Sequence, residues 1–595
     1  MINLLDALYK LGKLYIEKED LNQIDVLLDN KKIGAVVLVE FIEDSAGNIS
    51  YNKVYQEDYD SKNKVKYLYK KGSPRGTNIT PSSLLGKDLK TTFDIKFFKW
   101  FDNNQDNDFF LKFYNEINDN KEEIFNDMEL IINNINVKDN ILISLVVNKN
   151  DDINYLNDFD EFKEILIKNS LDKYQGPKKI KGNGVCCLCD NQKEVYGLVS
   201  SSMGFAFSTP EKKGNVPGFD VNNQWKLLPI CSDCALYLNA GKNFVEKYLN
   251  FKEFGLNYYV IPNFLFDLEN GFDNFYNNIK LFEKNDALDS SDLIHIENKL
   301  GRFIKRIDDI AEFKFLFYQA SKAEFKILAY VESVVPSWLT VLYKTQHKIS
   351  EYDFFREKNL KLIFGEKHNG TFLDVINNNN NYPCNTNNWY KRFLRDFIFS
   401  FSSKMYIDSV VKIIGNKKID YHFLMSRIMD KIRHDWRNEE HYAMNVSILK
   451  SLMLFLLLND LNLIKGENIM NSNNEEEFDT EFLLDTPSKK ATFLLGVLTR
   501  KLMNIQYKEL GSTLFYNKLW GLSLDQKKIH KLYPMVINKL QEYGAGYMRD
   551  LENEISKNLA MSERNWGLNR DETSYYFVLG FTLHNTDKKE KCEDD

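Results

Sequence analysis

The spacing of apolar residues changes period several times along the chain, and those changes divide it. From Asn3 to residue 17 apolar side chains recur every three to four positions, as in an amphipathic helix. Ala35-Val36-Val37-Leu38-Val39-Glu40-Phe41 is a nearly unbroken apolar run rich in β-branched residues and predicts a buried strand. Two more strands are expected at 51–59 and 66–69. Helical spacing with an acidic surface returns over 108–134, and Ile141-Leu142-Ile143-Ser144-Leu145-Val146-Val147 predicts another strand. Residues 1–180 therefore read as an α/β domain. Strands recur at 258–261, 313–320 and 325–335 with helices between them, so 241–336 read as its continuation. Beyond 337 no strand alternation is visible. Helical patterning fills 337–465 and, after a polar acidic stretch (466–479), a C-terminal helical bundle within 466–595. An asparagine-rich stretch (376–388) interrupts the first of these blocks. The fold class predicted is α+β: several domains, the first α/β and the last all-α.

The segment left over, 181–240, carries the sharpest chemistry. Cys186-Cys187-Leu188-Cys189 and Cys231-Ser232-Asp233-Cys234 are two C-x-x-C pairs about forty residues apart. Two thiolates separated by two residues can face one ion from a tight turn, and two such turns complete a tetrahedron. The expected ligands are Cys186, Cys189, Cys231 and Cys234, with Cys187 spare, in a zinc-ribbon-like four-cysteine insertion holding a structural Zn2+. Four sulfurs leave no open coordination position, so such an ion braces the fold and does not act as a Lewis acid. Neither pair is expected to open a helix after a strand in a clear β-α-β context, which argues against a redox dithiol. The bland alternative is four unrelated buried or disulfide-bonded cysteines. Cys384 and Cys592 stand apart from any partner in sequence, and a reducing cytoplasm is expected. The N-terminus lacks a basic region before its apolar residues, and the longest apolar run, seven residues ending at Leu458, is too short to span a bilayer, so no membrane partner is expected.

The net charge of −7 argues against a protein that coats nucleic acid generally, but its distribution is uneven. Residues 61–100 hold ten Lys/Arg against two Asp/Glu, and residues 491–540 hold eight against two. Separated basic patches on an acidic body suit contact with nucleic acid at defined places; ordinary solvated surface is the plainer alternative. Within the first patch, Lys70-Lys71-Gly72-Ser73-Pro74-Arg75-Gly76-Thr77-Asn78 is a glycine-containing loop with three cations and two hydroxyls, which suits phosphate. It is not a Walker-type phosphate loop, so nucleotide hydrolysis has no support. Arg75 is placed for phosphate, and Lys70, Lys71 and Asn78 for base edges, with Gly72 allowing close approach. Lys178 and Lys179 add charge before the cysteines, and Lys212 and Lys213 lie in a loop inside the insertion. In the second patch Arg500, Lys501, Lys527 and Lys528 are the candidate contacts, with Tyr507, Phe515 and Trp520 interleaved for base stacking or, as is commoner, for helix packing. His434-Asp435 is the only pair suggestive of catalysis, the core of an HD phosphohydrolase if His422 or His441 joins it; a charged helix face with i,i+4 pairs is the simpler reading.

In order, the basic turn following 66–69, the paired-cysteine insertion ending Leu228-Pro229-Ile230-Cys231, and a helical tail carrying Phe493-Leu494-Leu495-Gly496, Gln506 and Tyr576-Phe577-Val578-Leu579-Gly580 resemble the large subunit of the type I-B CRISPR interference complex, Cascade. The resemblance spans nearly the whole chain, although only the cysteine pattern is sharp. It implies a non-catalytic subunit that binds target DNA beside a crRNA, recognises the protospacer-adjacent motif (PAM), promotes R-loop formation and recruits a helicase–nuclease. It implies as partners the Cascade backbone, the small subunits and the crRNA-end subunits. It further implies a small subunit translated internally, from Met470 or Met444. Two other classes stay open: the HD phosphohydrolase, and a zinc-stabilised interaction scaffold with no nucleic-acid role.

Overall fold

The computed structural model describes residues 2–29, 31–60, 63–72, 76–176, 179–204, 214, 216–265, 268–283, 311–320, 325–377, 386–465, 484–545 and 548–584. The chain divides into two compact units. One is built mainly from residues 1–250, with 259–276 and 319–326; the other comprises 251–258, 277–318 and 327–595.

The first unit is organised by β1 (Ile33–Glu43), β2 (Ile49–Glu57), β3 (Ser83–Leu84), β4 (Asn140–Lys149) and β5 (Asp152–Tyr155). They form one sheet, ordered β2-β1-β4-β3, with β5 also on β4. β1 and β2 are antiparallel, whereas β1 and β4 are parallel, with Val37 opposite Ile143 and Val39 opposite Leu145. The apolar run in β1 follows from burial on both faces. Val37, Val39 and Phe41 enter a large core with Trp100, Phe113 and Phe162, while Val36 and Leu38 pack on the other face with Tyr67, Tyr69, Leu142 and Val146. The crossover from β1 to β4 includes two helices, Asp108–Asp119 and Lys121–Asn133. Asn120 ends the first, its amide reaching back to Glu116, and opens the second.

Residues 66–69 are not a strand. Lys64–Tyr67 form one 3-10 turn, which closes at Leu68 with φ of 45°. Tyr67 and Tyr69 are apolar-facing because they fill the second core. The carbonyls of Tyr67 and Leu68 accept from the Ser82 and Thr80 hydroxyls, with no strand ladder to pair them. The place beside β4 goes to β3.

The cysteine segment forms a small antiparallel sheet of β6 (Lys181–Val185), β7 (Gln192–Tyr196) and β8 (Ile230–Cys231). It continues directly into the helix Ser232–Tyr248. That helix crosses the N-terminal helix Ile2–Glu19 at Gly12 and Gly241. A Cβ on Gly12 would lie 1.8 Å from the Tyr237 carbonyl oxygen, and one on Gly241 2.0 Å from that of Leu8. A further sheet of β9 (Asn250–Glu253), β10 (Leu256–Phe264), β11 (Ala311–Ala320) and β12 (Phe325–Val334) runs in the order β12-β11-β10-β9.

Beyond residue 336 the described residues of the second unit are helical, as expected, apart from two short strands, β13 (Ile419–Asp420) and β14 (Ile464–Lys465), that pair in parallel. Side-chain caps start several of its helices: Asp420 accepts from Phe423 N–H, Asp525 from Lys528 N–H, and Asn569 forms a capping box with Glu572. The helix His441–Asp460 is long and apolar enough to cross a membrane, but 67% of its most apolar window is buried inside the protein. It is apolar all round because protein surrounds it, and Leu452 through Leu458 are all buried. In the terminal bundle the helices Pro487–Leu510 and Arg570–Thr582 approach through Gly496 and Gly580. A Cβ on either would fall within about 2 Å of a carbonyl of the other helix. The two glycine-bearing motifs at 493–496 and 576–580 thus meet in space. The acidic stretch 466–479, Met470, Cys384 and Cys592 lie outside the described residues, whereas Met444 is buried in the helix His441–Asp460.

Candidate metal centre and nucleic-acid interface

Cys186 closes the turn that leaves β6. Its N–H donates to the Asn191 carbonyl and its own carbonyl accepts from Asp190 N–H, both at 3.0 Å, with Asp190 left-handed at φ of 55°. Cys231 ends β8 and Cys234 lies in the first turn of the helix Ser232–Tyr248, so the second pair does open a helix after a strand. β7 and β8 are antiparallel, however, which is the ribbon's connection and not that of a redox βαβ unit. The four Sγ atoms of Cys186, Cys189, Cys231 and Cys234 all lie within 4.8 Å of one another, and those of Cys189 and Cys231 are 3.9 Å apart. A tetrahedron with metal–sulfur bonds of about 2.3 Å has sulfur–sulfur edges of about 3.8 Å, so the donor set fits a four-thiolate metal site. The electrostatics agree. The Cys186 thiol is drawn down to about 4 by hydrogen bonding from Cys234 and by the backbone N–H groups of Cys231, Leu188 and Cys189. The same hydrogen bond, with burial, pushes Cys234 up, and burial pushes Cys231 up. Four thiolates this close need a cation to ionise together. Cys187 is outside the group, its thiol raised to about 11 by burial and by Cys186.

The basic loop is held from within the protein. Lys70 Nζ pairs with Asp29 at 2.8 Å, and the other oxygen of Asp29 accepts from Lys71 N–H at 3.1 Å. Asn78 is buried. Its amide oxygen accepts from Gly72 N–H and its NH2 donates to the Ser82 carbonyl, so it braces the loop and is not free to read a base. Gly72 is needed for the loop's own closure, since a Cβ would sit 2.1 Å from the Thr77 carbonyl oxygen. Lys71 is exposed and makes no ion pair among the described residues, and it remains the outward cation with Lys179. Arg75, Lys178, Lys212 and Lys213 lie outside the described residues.

Three further lysines converge here that local motif reading missed. Lys173 Nζ reaches the Lys71 carbonyl at 3.1 Å, Lys96 Nζ reaches that of Gly76, and Lys64 Nζ reaches that of Asp25. Each has its pKa lowered, first by loss of water and then by neighbouring lysines: Lys70 on Lys173, Lys71 on Lys96, and Lys247 and Lys70 on Lys64. Asp29 is held below the ordinary carboxylate range despite its burial, by Lys70, the Lys71 N–H and Lys173. Lys64 and Lys96 contributed to the charge excess of 61–100; Lys173 lies a hundred residues away, and only the fold brings it in.

In the C-terminal patch Arg500 lies over the Phe581 ring, 5.0 Å from its centroid. Lys527 is exposed, and Lys528 donates to the Ser523 carbonyl at 2.6 Å while lying 5.9 Å from the Trp520 centroid. Phe515 is buried, and Tyr507 is 61% exposed. The HD pair does not assemble a metal site. Asp435 is fully buried between Lys431 and the Ser447 hydroxyl, whereas the His434 side chain is 66% exposed. His422 meets Asn569, and His441 packs on Trp436 and Tyr516. Among the described residues only the four cysteines form a group of three or more metal-type ligands.

The fold and the site define a mixed α+β protein with a four-thiol ribbon and a helical C-terminal bundle. Three domain models of one family match it in order: the CRISPR-associated protein TM1802 (cas_TM1802) N-terminal domain over residues 4–168, its central domain over 183–334 and its C-terminal domain over 394–595. The chain belongs to the cas_TM1802 family, a Cas8b-type large subunit. A search of curated proteins finds no match.

Proposed function

We propose that this chain is the large subunit of a type I-B Cascade, a non-catalytic cytoplasmic component. It binds target DNA beside the crRNA, recognises the PAM, promotes R-loop formation and recruits a helicase–nuclease, in contact with backbone, small and crRNA-end subunits. The observation that carries the DNA-binding part is the lysine cluster of Lys64, Lys70, Lys71, Lys96 and Lys173 around one loop, with Asp29 as the acid paired to Lys70. Lys64, Lys96 and Lys173, whose charge is disfavoured by burial and by neighbouring lysines, gain most from a phosphate, and guide pairing leaves the protein only a short duplex to read. The ribbon steadies the loop's surroundings with Zn2+, the ion that four thiolates in a tetrahedron suit best. Its coordination is closed, so its contribution is to folding.

The test is binding of PAM-containing duplex by the assembled complex as salt is raised. Affinity falls steeply with salt when lysines displace counterions. Lys71→Ala together with Lys179→Ala lowers the slope by about one for each phosphate that a lysine no longer neutralises. A slope unchanged in the variant, or binding that is flat with salt, refutes the reading and leaves a protein-interaction scaffold.

A further inference from the structure

The basic loop already holds an anion, and the anion is its own. One oxygen of Asp29 accepts from Lys70 Nζ at 2.8 Å and the other from Lys71 N–H at 3.1 Å. Lys173 is fixed beside them by its bond to the Lys71 carbonyl at 3.1 Å. Two ammonium groups and a main-chain N–H around one carboxylate are also the donors that suit a phosphate oxygen. The pair is not sealed, since 22% of the Lys70 side chain and 24% of the Asp29 side chain stay open to solvent. Nor does the loop need a negative charge to close. Asp29 N–H donates to the Tyr69 carbonyl and Ile79 N–H to that of Lys70, both at 3.1 Å. Asn78 ties Gly72 to Ser82 as well. None of these bonds involves the carboxylate. An asparagine at position 29 could still accept from Lys71 N–H, so what only an aspartate adds is charge, and that charge is set against Lys70.

We propose that Lys70, the Lys71 N–H and Lys173 form a seat for a backbone phosphate of duplex DNA, and that Asp29 is its built-in competitor. The DNA as occupant rests on the function proposed above. Burial opposes ionisation of Asp29, yet Lys70, the Lys71 N–H and Lys173 outweigh it and hold the carboxyl below the ordinary range, so the competitor is charged at neutral pH. An ammonium bonded to a carboxylate already has its counter-charge and releases no counterion from DNA. Lys70 is therefore subtracted from the grip on DNA. Lys71, exposed and without an ion pair among the described residues, is left to meet the backbone. Asp29 also weakens that contact, because a phosphate on Lys71 comes within about one Debye length, about 8 Å, of the carboxylate, where repulsion is only partly screened. Phosphate contacts hold every sequence alike, whereas base contacts discriminate. A subunit that must let go of each duplex lacking its motif is served by an internal anion that keeps the first kind of contact weak.

The experiment uses the full-length chain and a labelled duplex of arbitrary sequence, about 20 base pairs long, with anisotropy read across a salt series. Asp29→Asn removes the charge, and Asp29→Ala clears the seat as well. Each is expected to bind the duplex about fivefold more tightly at low salt and to steepen the salt slope by about one, the mark of one more phosphate neutralised. Asp29→Glu, which keeps the charge, should bind as the wild type does. Lys70→Ala alone should leave the slope unchanged, and it keeps the proposal testable should the neutral Asp29 variants not fold. Lys70→Ala added to Asp29→Asn should abolish the gain. Asp29 variants that bind no better than the wild type, a gain that survives loss of Lys70, or a slope that falls in Lys70→Ala would each overturn the competitor while leaving the DNA reading in place. If neither the wild type nor any variant binds with a salt slope, the DNA reading falls, and the seat falls with it.

Discussion

Replacing Gly241 by alanine sets two effects of opposite sign against each other. Gly241 lies inside the helix Ser232–Tyr248, where alanine is intrinsically favoured over glycine by about 1 kcal/mol. If the helix stood alone, the change would stabilise it. The crossing with the helix Ile2–Glu19 reverses the sign. The new Cβ would lie 2.0 Å from the Leu8 carbonyl oxygen, and ordinary contact begins near 3.4 Å, so the helices must part by about 1.4 Å. The edge-on pairs Tyr9–Tyr237 and Tyr15–Phe244, now 5.6 and 5.1 Å between centroids, would open with them. A gap of that order forfeits a quarter to a half or more of the attraction between each pair of touching atoms, and overpacking itself costs about 1–3 kcal/mol. The net expectation is a loss of about 2 kcal/mol, or about 4–8 °C in melting temperature for a unit of this size. Thermal unfolding followed by circular dichroism measures it. Gly12→Ala should act alike, since its Cβ would fall 1.8 Å from the Tyr237 carbonyl oxygen, and the double variant should cost less than the sum because the first separation makes room for the second. A melting temperature that is unchanged or raised in Gly241→Ala would refute the crossing.

The protein as purified should carry one metal ion per chain by elemental analysis; stripping it with a chelator should free four fast-reacting thiols and lower stability, and a metal-free native protein with four reactive thiols would rule the centre out. Asp29, with its folded pKa lowered, contributes stability that is complete above its unfolded value of about 3.9 and is lost as pH falls through the lower folded value. Asp29→Asn should therefore reduce stability near neutrality and flatten the acid limb, which denaturant titrations between about pH 2 and pH 6 would show. Lys391, 2% exposed, pairs with buried Glu253 at 2.8 Å and contacts the Tyr258 hydroxyl at 3.2 Å. Lys391→Met strands the carboxylate and should cost about 3–5 kcal/mol, while Lys391→Met/Glu253→Gln should recover part of it; equal losses in single and double variants would mean packing alone is at stake.

The elements carried by long, one-period patterns were legible: the N-terminal helix, β1, β4, β10 to β12 and the helical tail. The cysteine group was legible too, because metal-type chemistry fixes residue type and spacing together. The 66–69 segment differs from its expected strand because its alternation of buried tyrosines is the same whether a strand or a single 3-10 turn delivers them to a core. What separates the two is the partner of each carbonyl, and those partners, Thr80 and Ser82, come later in the chain. The basic loop was half legible. Charge density located it, but Asn78 and Gly72 proved to be scaffold, Asp29 was unforeseen as the anchor, and Lys173 comes from a distant helix. Similarly, Arg500 was picked out for its charge, whereas its seat over the Phe581 ring is a property of the segments packed around it.

The helix Ser232–Tyr248 holds Cys234 in its first turn, and nine residues on its Asn243 donates to the Val26 carbonyl, three residues before the aspartate that holds Lys70. One rod therefore has sulfur at one end and the root of the basic turn near the other. Oxidising agents that never touch a lysine would therefore slacken the support of the basic turn, and faster proteolysis at that turn after peroxide, reversed by reductant with metal, would be the sign of it.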